Sequence, residues 1–236
     1  DFHRLADDRA QWLEGRCVSY GGAMSYSPFQ GIVGSYLELL PTDTQAEMKA
    51  KLEERVHALL PPTDVRWRPL HVGRVFFPQY EAVLRTASGD DYAKQYTYPT
   101  LKNLFEKIAQ QRPLVLVCED LHWADPSSLS LLEYLMEHVD DAPILYLWGY
   151  RPERNSGCWH LRERAAREYV YCNTEIDLEP LRPEETEALV SELLGTDDVP
   201  QRLRSLVSEK TAGNPLYVEE ILRSITPLSI SPAGGG

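Results

Sequence analysis

The chain has 236 residues, 43% hydrophobic and 25% charged, with 24 Lys and Arg against 36 Asp and Glu. That length supports one large or two modest domains whose core needs neither disulfides nor a structural metal. A formal net charge of −12 argues against a sequence-independent grip on phosphate backbones, which needs an excess of basic residues. It leaves open a nucleotide pocket built from backbone amides and a few placed side chains. The longest apolar stretches, around 114–117 and 142–148, are far too short for a membrane span, and no leader pattern opens the chain. The expectation is an acidic, soluble, cytoplasmic protein.

Residues 1–10, with Phe2, Leu5 and Ala6, read as the end of a helix, and 12–18 as a strand. Pro28 opens a helix to about Leu40, and a second runs over 44–60 with Leu52, Val56 and Leu59 at helical spacing. The Pro61-Pro62 pair stops it. Residues 61–100 hold Trp67, Phe76, Phe77, Tyr80, Tyr92, Tyr96 and Tyr98. Two readings stand for this stretch: a helical insertion with an aromatic core, or a partner-binding surface. Leu101, Leu104, Phe105 and Ile108 then mark one face of a helix ending near Arg112-Pro113.

The run Leu114-Val115-Leu116-Val117-Cys118 predicts a strand buried on both faces. Asp125 as N-cap and Pro126 at the first position start a helix with a stripe of Leu129, Leu132, Met136 and Val139. A second buried strand is expected over 143–148, a basic helix over 162–169 and a further strand over 174–178. Three short helices, at about 183–194, 200–211 and 215–225, each begin at a proline. This order predicts an α/β domain with a parallel sheet over 1–180, then a small all-α domain over 181–228 and a tail at 229–236.

Cys17, Cys118, Cys158 and Cys172 form no C-x-x-C pair, and the six histidines show no ligand spacing, so buried or idle thiols are expected rather than a zinc site. The chemistry concentrates elsewhere. The first buried run ends in Glu119-Asp120, and in open α/β sheets ligands collect at the carboxyl ends of strands. Such a pair is either a solvated strand end or a site where one acid holds hydrated Mg²⁺ and the other orients a water. Asp125 reads as a helix cap rather than a catalytic acid, and His122 and Trp123 as supports of the loop.

The extended string from Leu114 to Leu129, L-V-L-V-C-E-D-L-H-W-A-D-P-S-S-L, closely resembles the Walker B segment of STAND-type signalling ATPases. These are AAA+-related P-loop NTPases of bacterial cyclase-linked and transcription-regulator multidomain proteins. Trp12-Leu-Glu-Gly-Arg-Cys with Tyr26-Ser-Pro-Phe resembles the family's second strand and following helix. Tyr150-Arg151-Pro152-Glu153 looks like its sensor region, and Gly213-Asn214-Pro215-Leu216-Tyr217-Val218-Glu219-Glu220 like the motif of its helical lid.

The resemblance implies a P-loop NTPase-like, three-layer parallel α/β fold, incomplete at its N-terminus, with an all-α lid. It places Glu119 at the Mg²⁺-coordinating position and Asp120 at the water-activating one, with contact to the metal through water. Arg151 falls at the sensor position, its local alternative being a surface arginine. Gly213, Asn214 and Pro215 fall where the lid meets the adenine, although a plain helix start also explains Pro215.

The motif G-x-x-x-x-G-K-[ST], which cradles phosphates in such proteins, is absent: none of the six lysines follows a glycine. The resemblance places it just before residues 1–10. The chain is thus expected to be a fragment cut within the first helix, with at best weak ATP binding and negligible hydrolysis alone. In an intact parent the expected function is an ATP/ADP- and Mg²⁺-dependent regulatory switch, with other domains of the same polypeptide and a second copy of itself as the expected partners. The alternative is a catalytically silent protein-interaction scaffold. Direct nucleic-acid binding is not expected, because Glu163 and Glu168 interleave with Arg162, Arg164 and Arg167.

Overall fold

The computed structural model describes residues 9–19, 25–60, 69–76, 93–196 and 198–225. The predicted helix end over 1–10 lies almost wholly outside them, as do the tail and most of the aromatic stretch. Two compact units are present, Asp1–Asn173 and Thr174–Gly236. No helix among the described residues is long and apolar enough to cross a membrane.

The first unit is built on a parallel sheet of β1 (Gln11–Arg16), β2 (Leu114–Glu119) and β3 (Ile144–Trp148), in that spatial order. The register pairs Leu13 with Leu116 and Arg16 with Glu119, and Val115 with Leu145 on the other side. Its described residues also form helices α1 (Ser27–Tyr36), α2 (Gln45–Leu59), α3 (Pro69–Gly73), α4 (Tyr98–Gln111), α5 (Pro126–Met136) and α6 (Cys158–Glu168), with a π-helical turn, Ala93–Thr97, leading into α4. β2, paired on both edges, buries Leu114 to Cys118 completely, as its unbroken apolar run requires.

One cluster joins Leu13, Leu114, Leu116 and Cys118 of the sheet to Phe29, Ile32 and Val33 of α1, Leu101, Leu104, Phe105 and Ile108 of α4, and Leu131, Leu132 and Leu135 of α5. Val115 and Val117 alternate to the opposite face and lie outside that cluster. Of the aromatic stretch, Tyr98 is buried against Tyr134, with centroids 5.7 Å apart, Tyr96 stacks on His71 at 5.4 Å, and Phe76 packs on the core.

Two local constraints seat α1. A Cβ on Gly15 would collide with the Pro28 carbonyl, and one on Gly31 would lie 2.9 Å from Gly15 Cα. The helix therefore rests directly on the β1 backbone, which only glycine at both positions allows. Tyr26, which precedes α1, has φ 64°, a left-handed conformation costly for a bulky residue. Asp125 holds it there. Its carboxylate accepts from Tyr26 N–H at 3.1 Å and Ser27 N–H at 3.2 Å, and also from Ser128 N–H at 2.9 Å and Ser128 Oγ–H at 2.5 Å. One side chain thus caps α5 and anchors the start of α1.

The second unit packs α7 (Pro183–Leu194), α8 (Gln201–Thr211) and α9 (Pro215–Ile225) around Val190, Val199, Val207, Val218 and Leu222. Gly195, at φ 65°, ends α7 in the left-handed turn that favours glycine.

Two expectations need correction. Residues 174–178 are not a strand: Ile176 is 77% and Leu178 92% exposed, and no neighbouring strand among the described residues supplies the ladder they would need. β3 has the predicted bounds to within a residue but is only half-buried, with Leu145 47% exposed, because it forms the sheet's edge among the described residues.

Gly15→Ala should destabilise the first unit by about 3 kcal/mol or more through a backbone collision. Gly34→Ala, whose Cβ would meet only side chains at 3.7 and 3.9 Å, should instead stabilise α1 by roughly 0.5–1 kcal/mol. Urea denaturation of both variants checks this pair. Asp125→Ala should cost about 2–4 kcal/mol by removing a cap and leaving further N–H groups unpaired. A loss below about 1 kcal/mol would show that Asp125 is not the anchor.

Candidate functional site

The parallel ladder brings the carboxyl ends of β1, β2 and β3 to one end of the sheet. β2 ends in Glu119, and the chain turns at Asp120, which has φ 56°. Aspartate tolerates that left-handed conformation better than most residues. A 3-10 turn, Leu121–Trp123, follows. β3 continues as Gly149, Tyr150 and Arg151. Gly149 N–H donates to Cys118 O at 2.9 Å, and Leu121 N–H donates to Gly149 O at 2.9 Å. These bonds lock the loops after β2 and β3 together.

Glu119 and Asp120 do not stand as a free acidic pair. Arg16, at the end of β1 and in register with Glu119, donates to Glu119 Oε2 from both Nη2 and Nε, the latter at 3.0 Å. Its Nε also lies 3.5 Å from Asp120 Oδ2. The hydrogen bond to Glu119, then its charge, raises the Arg16 pKa further. Arg16 is 63% exposed and the acids 37% and 32%, so solvent screens the attraction to about 1 kcal/mol or less. The carboxylates are held but not sealed.

Sequence reasoning missed Arg16, which lies 103 positions before Glu119. Only the parallel register makes them neighbours; an arginine closing a predicted strand was the available signal.

Arg151 lies on the adjoining loop. Its guanidinium sits over the Trp123 ring, 5.9 Å from the centroid, and its backbone N–H donates to His122 Nδ1 at 3.4 Å. The His122 and Trp123 rings are 4.5 Å apart. Among the described residues no ion pair joins Arg151 to Glu119 or Asp120. The His-Trp pair after the acids therefore ties Arg151 to the same loop cluster.

Behind the acids, Cys17 N–H donates to Glu119 O at 2.9 Å. Cys17 is fully buried, and burial pushes its thiol up to about 12. Burial also raises the thiols of Cys118 and Cys158. Burial thus disfavours the thiolate form at all three. Cys172 is exposed.

Gly213, Asn214 and Pro215 lie in the second unit. Gly213 has φ 77°, a Cβ there would collide with Leu181 O, and Leu181 N–H donates to Gly213 O at 2.8 Å. Asn214 Oδ1 accepts from Leu216 N–H at 3.0 Å, and its carbonyl accepts from Val218 N–H at 3.1 Å, so it opens α9 with Pro215 next.

Carboxylate oxygens are hard ligands of the kind Mg²⁺ takes, two of them with water completing the shell. The donor set at Glu119 and Asp120 fits such an ion once Arg16 moves aside. No cluster of three or more His, Cys, Asp or Glu suited to a metal occurs among the described residues. A nucleotide's phosphates lack the glycine-flanked lysine cradle, which the sequence does not contain.

Comparison with known families agrees with this geometry. The family model of the AAA ATPase domain matches residues 1–147, and a domain of unknown function, DUF8739, matches residues 182–227. No curated protein and no solved structure matches the chain. A match over more than half the length settles the family: the chain belongs to the AAA ATPase domain family.

Proposed function

We propose that the chain is the greater part of a STAND-type regulatory ATPase switch within a larger signalling protein, its Walker A loop lying in polypeptide outside these 236 residues. The observation that carries this reading is the convergence of Glu119, Asp120 and Arg151 at one end of the sheet, on loops tied by the Leu121–Gly149 hydrogen bond. Mg²⁺ would supply positive charge at the phosphate oxygens. Glu119 holds the hydrated ion. Asp120 accepts a proton from the attacking water and orients it. Arg151, on a loop braced by His122 and Trp123, answers the presence of the terminal phosphate. Gly213, Asn214 and Pro215 are assigned to the adenine.

Arg16 adds a requirement that the motifs do not contain. It donates to the same carboxylate oxygens a metal would use, so metal binding requires its displacement. The weakness of an exposed ion pair makes that displacement cheap.

A second reading, a scaffold that keeps the fold without catalysis, draws on the same Arg16 contacts and on the missing lysine cradle. Titration with a fluorescent ATP analogue is the first test. The 236-residue chain should bind no tighter than about millimolar, since the phosphates lack their lysine and amide cradle; micromolar affinity would overturn the assignment of Walker A to outside polypeptide. In the full-length protein Asp120→Asn should abolish hydrolysis while sparing binding, and unchanged turnover would remove Asp120 from the chemistry. Arg16→Gln should lower the Mg²⁺ concentration for half-maximal hydrolysis several-fold. No ATPase activity in a full-length protein carrying G-x-x-x-x-G-K-[ST] would favour the scaffold.

A further inference from the structure

Packing does not account for the aromatic pair His122-Trp123. Trp123 is 42% exposed and belongs to neither hydrophobic cluster, although an indole stabilises a fold chiefly by burying a large apolar surface. His122 Nδ1 accepts from Arg151 N–H, so the neutral ring carries its proton on Nε2. Nε2 is buried and has no hydrogen-bond partner among the described residues, an arrangement that lowers stability. Stability alone gives neither ring a reason to be there.

What the two rings share is Arg151. His122 holds its backbone and Trp123 its side chain, and the rings are tilted by 48° to one another. Consecutive residues after β2 thus grip one residue after β3 at both ends. Another seat for the guanidinium is close by. Gly149 lies against the end of β2, where a Cβ on it would come within 3.8 Å of Glu119 Cα. Arg151 follows two residues later, a chain span of about 7 Å at most, which an extended arginine can cover. Glu119 and Asp120 attract it, yet among the described residues Arg16 is the one cation paired with them. An exposed ion pair and an exposed cation–π contact are of similar strength. The indole therefore competes with the acids for the guanidinium on nearly equal terms, and the backbone bond to His122 tips the balance.

We propose that Trp123, assisted by His122, is a positioning residue: its indole is a perch that holds the Arg151 guanidinium off Glu119 and Asp120 until a phosphate group draws it away. This rests on the assignment of the two acids to Mg²⁺ and of Arg151 to the terminal phosphate. An aromatic face holds a guanidinium without neutralising it, so the full charge stays on offer to a phosphate. Without the perch, Arg151 joins Arg16 on the carboxylates. Two cations then close the acids in place of one displaceable one, and the sensor position is empty when the phosphate arrives.

Nuclear magnetic resonance on the 236-residue chain tests the perch without nucleotide. The Arg151 Cδ–H and Nε–H resonances should lie upfield of their positions in Trp123→Leu, through the indole ring current. Arg151→Gln should barely move the Glu119 and Asp120 carboxyl carbon resonances in the wild-type background and should move them clearly in the Trp123→Leu background. Only there does the guanidinium reach the acids. Equal effects in the two backgrounds overturn the proposal. In the full-length protein, Trp123→Leu should raise the Mg²⁺ concentration for half-maximal hydrolysis about 2- to 5-fold, opposite in sign to Arg16→Gln, and Trp123→Phe should change it by less than about twofold. Slower turnover at unchanged Mg²⁺ dependence would make Trp123 a purely structural residue and also overturns the proposal. Absence of hydrolysis in a full-length protein carrying G-x-x-x-x-G-K-[ST] would sink the functional reading instead, and the resonances would still decide whether the indole holds Arg151.

Discussion

The carboxylate of Asp125 is the interaction on which the first unit depends. It caps α5 through Ser128 and accepts from the N–H groups of Tyr26 and Ser27 at the start of α1. Tyr26 pays for its left-handed conformation with strain of about 1–3 kcal/mol, which those charge-assisted bonds offset. With its start fixed, α1 descends onto β1 where Gly15 and Gly31 leave room for two backbones to touch. The next residue along β1 is Arg16, which reaches Glu119 and Asp120. A helix cap is thereby linked, through one helix and one glycine contact, to the position of a cation at the candidate site.

Arg16 also reconciles the chain's acidity with its paired acids. Adjacent carboxylates at a strand end repel, and a protein of net charge −12 supplies no general positive field to relieve them. A guanidinium placed by the β1–β2 register does so locally, and does so in water, where its hold is weak. A buried partner would have fixed the acids more firmly and would have cost several kcal/mol to remove. An exposed one leaves both carboxylates open to exchange with a competing cation.

The sequence was most legible where one local rule decided the structure. Thr44 and Glu47 form a capping box at the start of α2, Asp125-Pro126 opens α5, and the prolines at 183 and 215 sit at helix starts. Each reads directly from side-chain chemistry. The strand ending in Glu119 was equally plain, because an apolar run between a proline and two acids has few other uses. Long-range register was not legible: nothing near Glu119 announces Arg16, and nothing near Gly15 announces Pro28. Residues 174–178 mislead for a related reason. Their alternation is a genuine strand pattern, but a strand also needs a neighbour, and pattern alone does not provide one. β3 errs the other way, carrying an inner strand's sequence at what is, among the described residues, the edge of the sheet.

Folding duties also distinguish the candidate residues of the first unit from those of the second. Gly213 is required by its positive φ and by the Leu181 backbone, Asn214 accepts from Leu216 N–H, and Pro215 begins α9. Packing of the helical unit accounts for all three, so their presence alone says little about a ligand. Glu119 and Asp120 carry no comparable burden. Their carboxylates fill no core and cap no helix, and Asp120 occupies a left-handed turn that asparagine or glycine would enter more easily. Acids placed where the fold does not ask for them, at the carboxyl end of an inner parallel strand and beside a displaceable arginine, are better explained by chemistry than by stability. The functional assignment therefore rests on the sheet end rather than on the helical unit, although the two motifs are equally visible in the sequence.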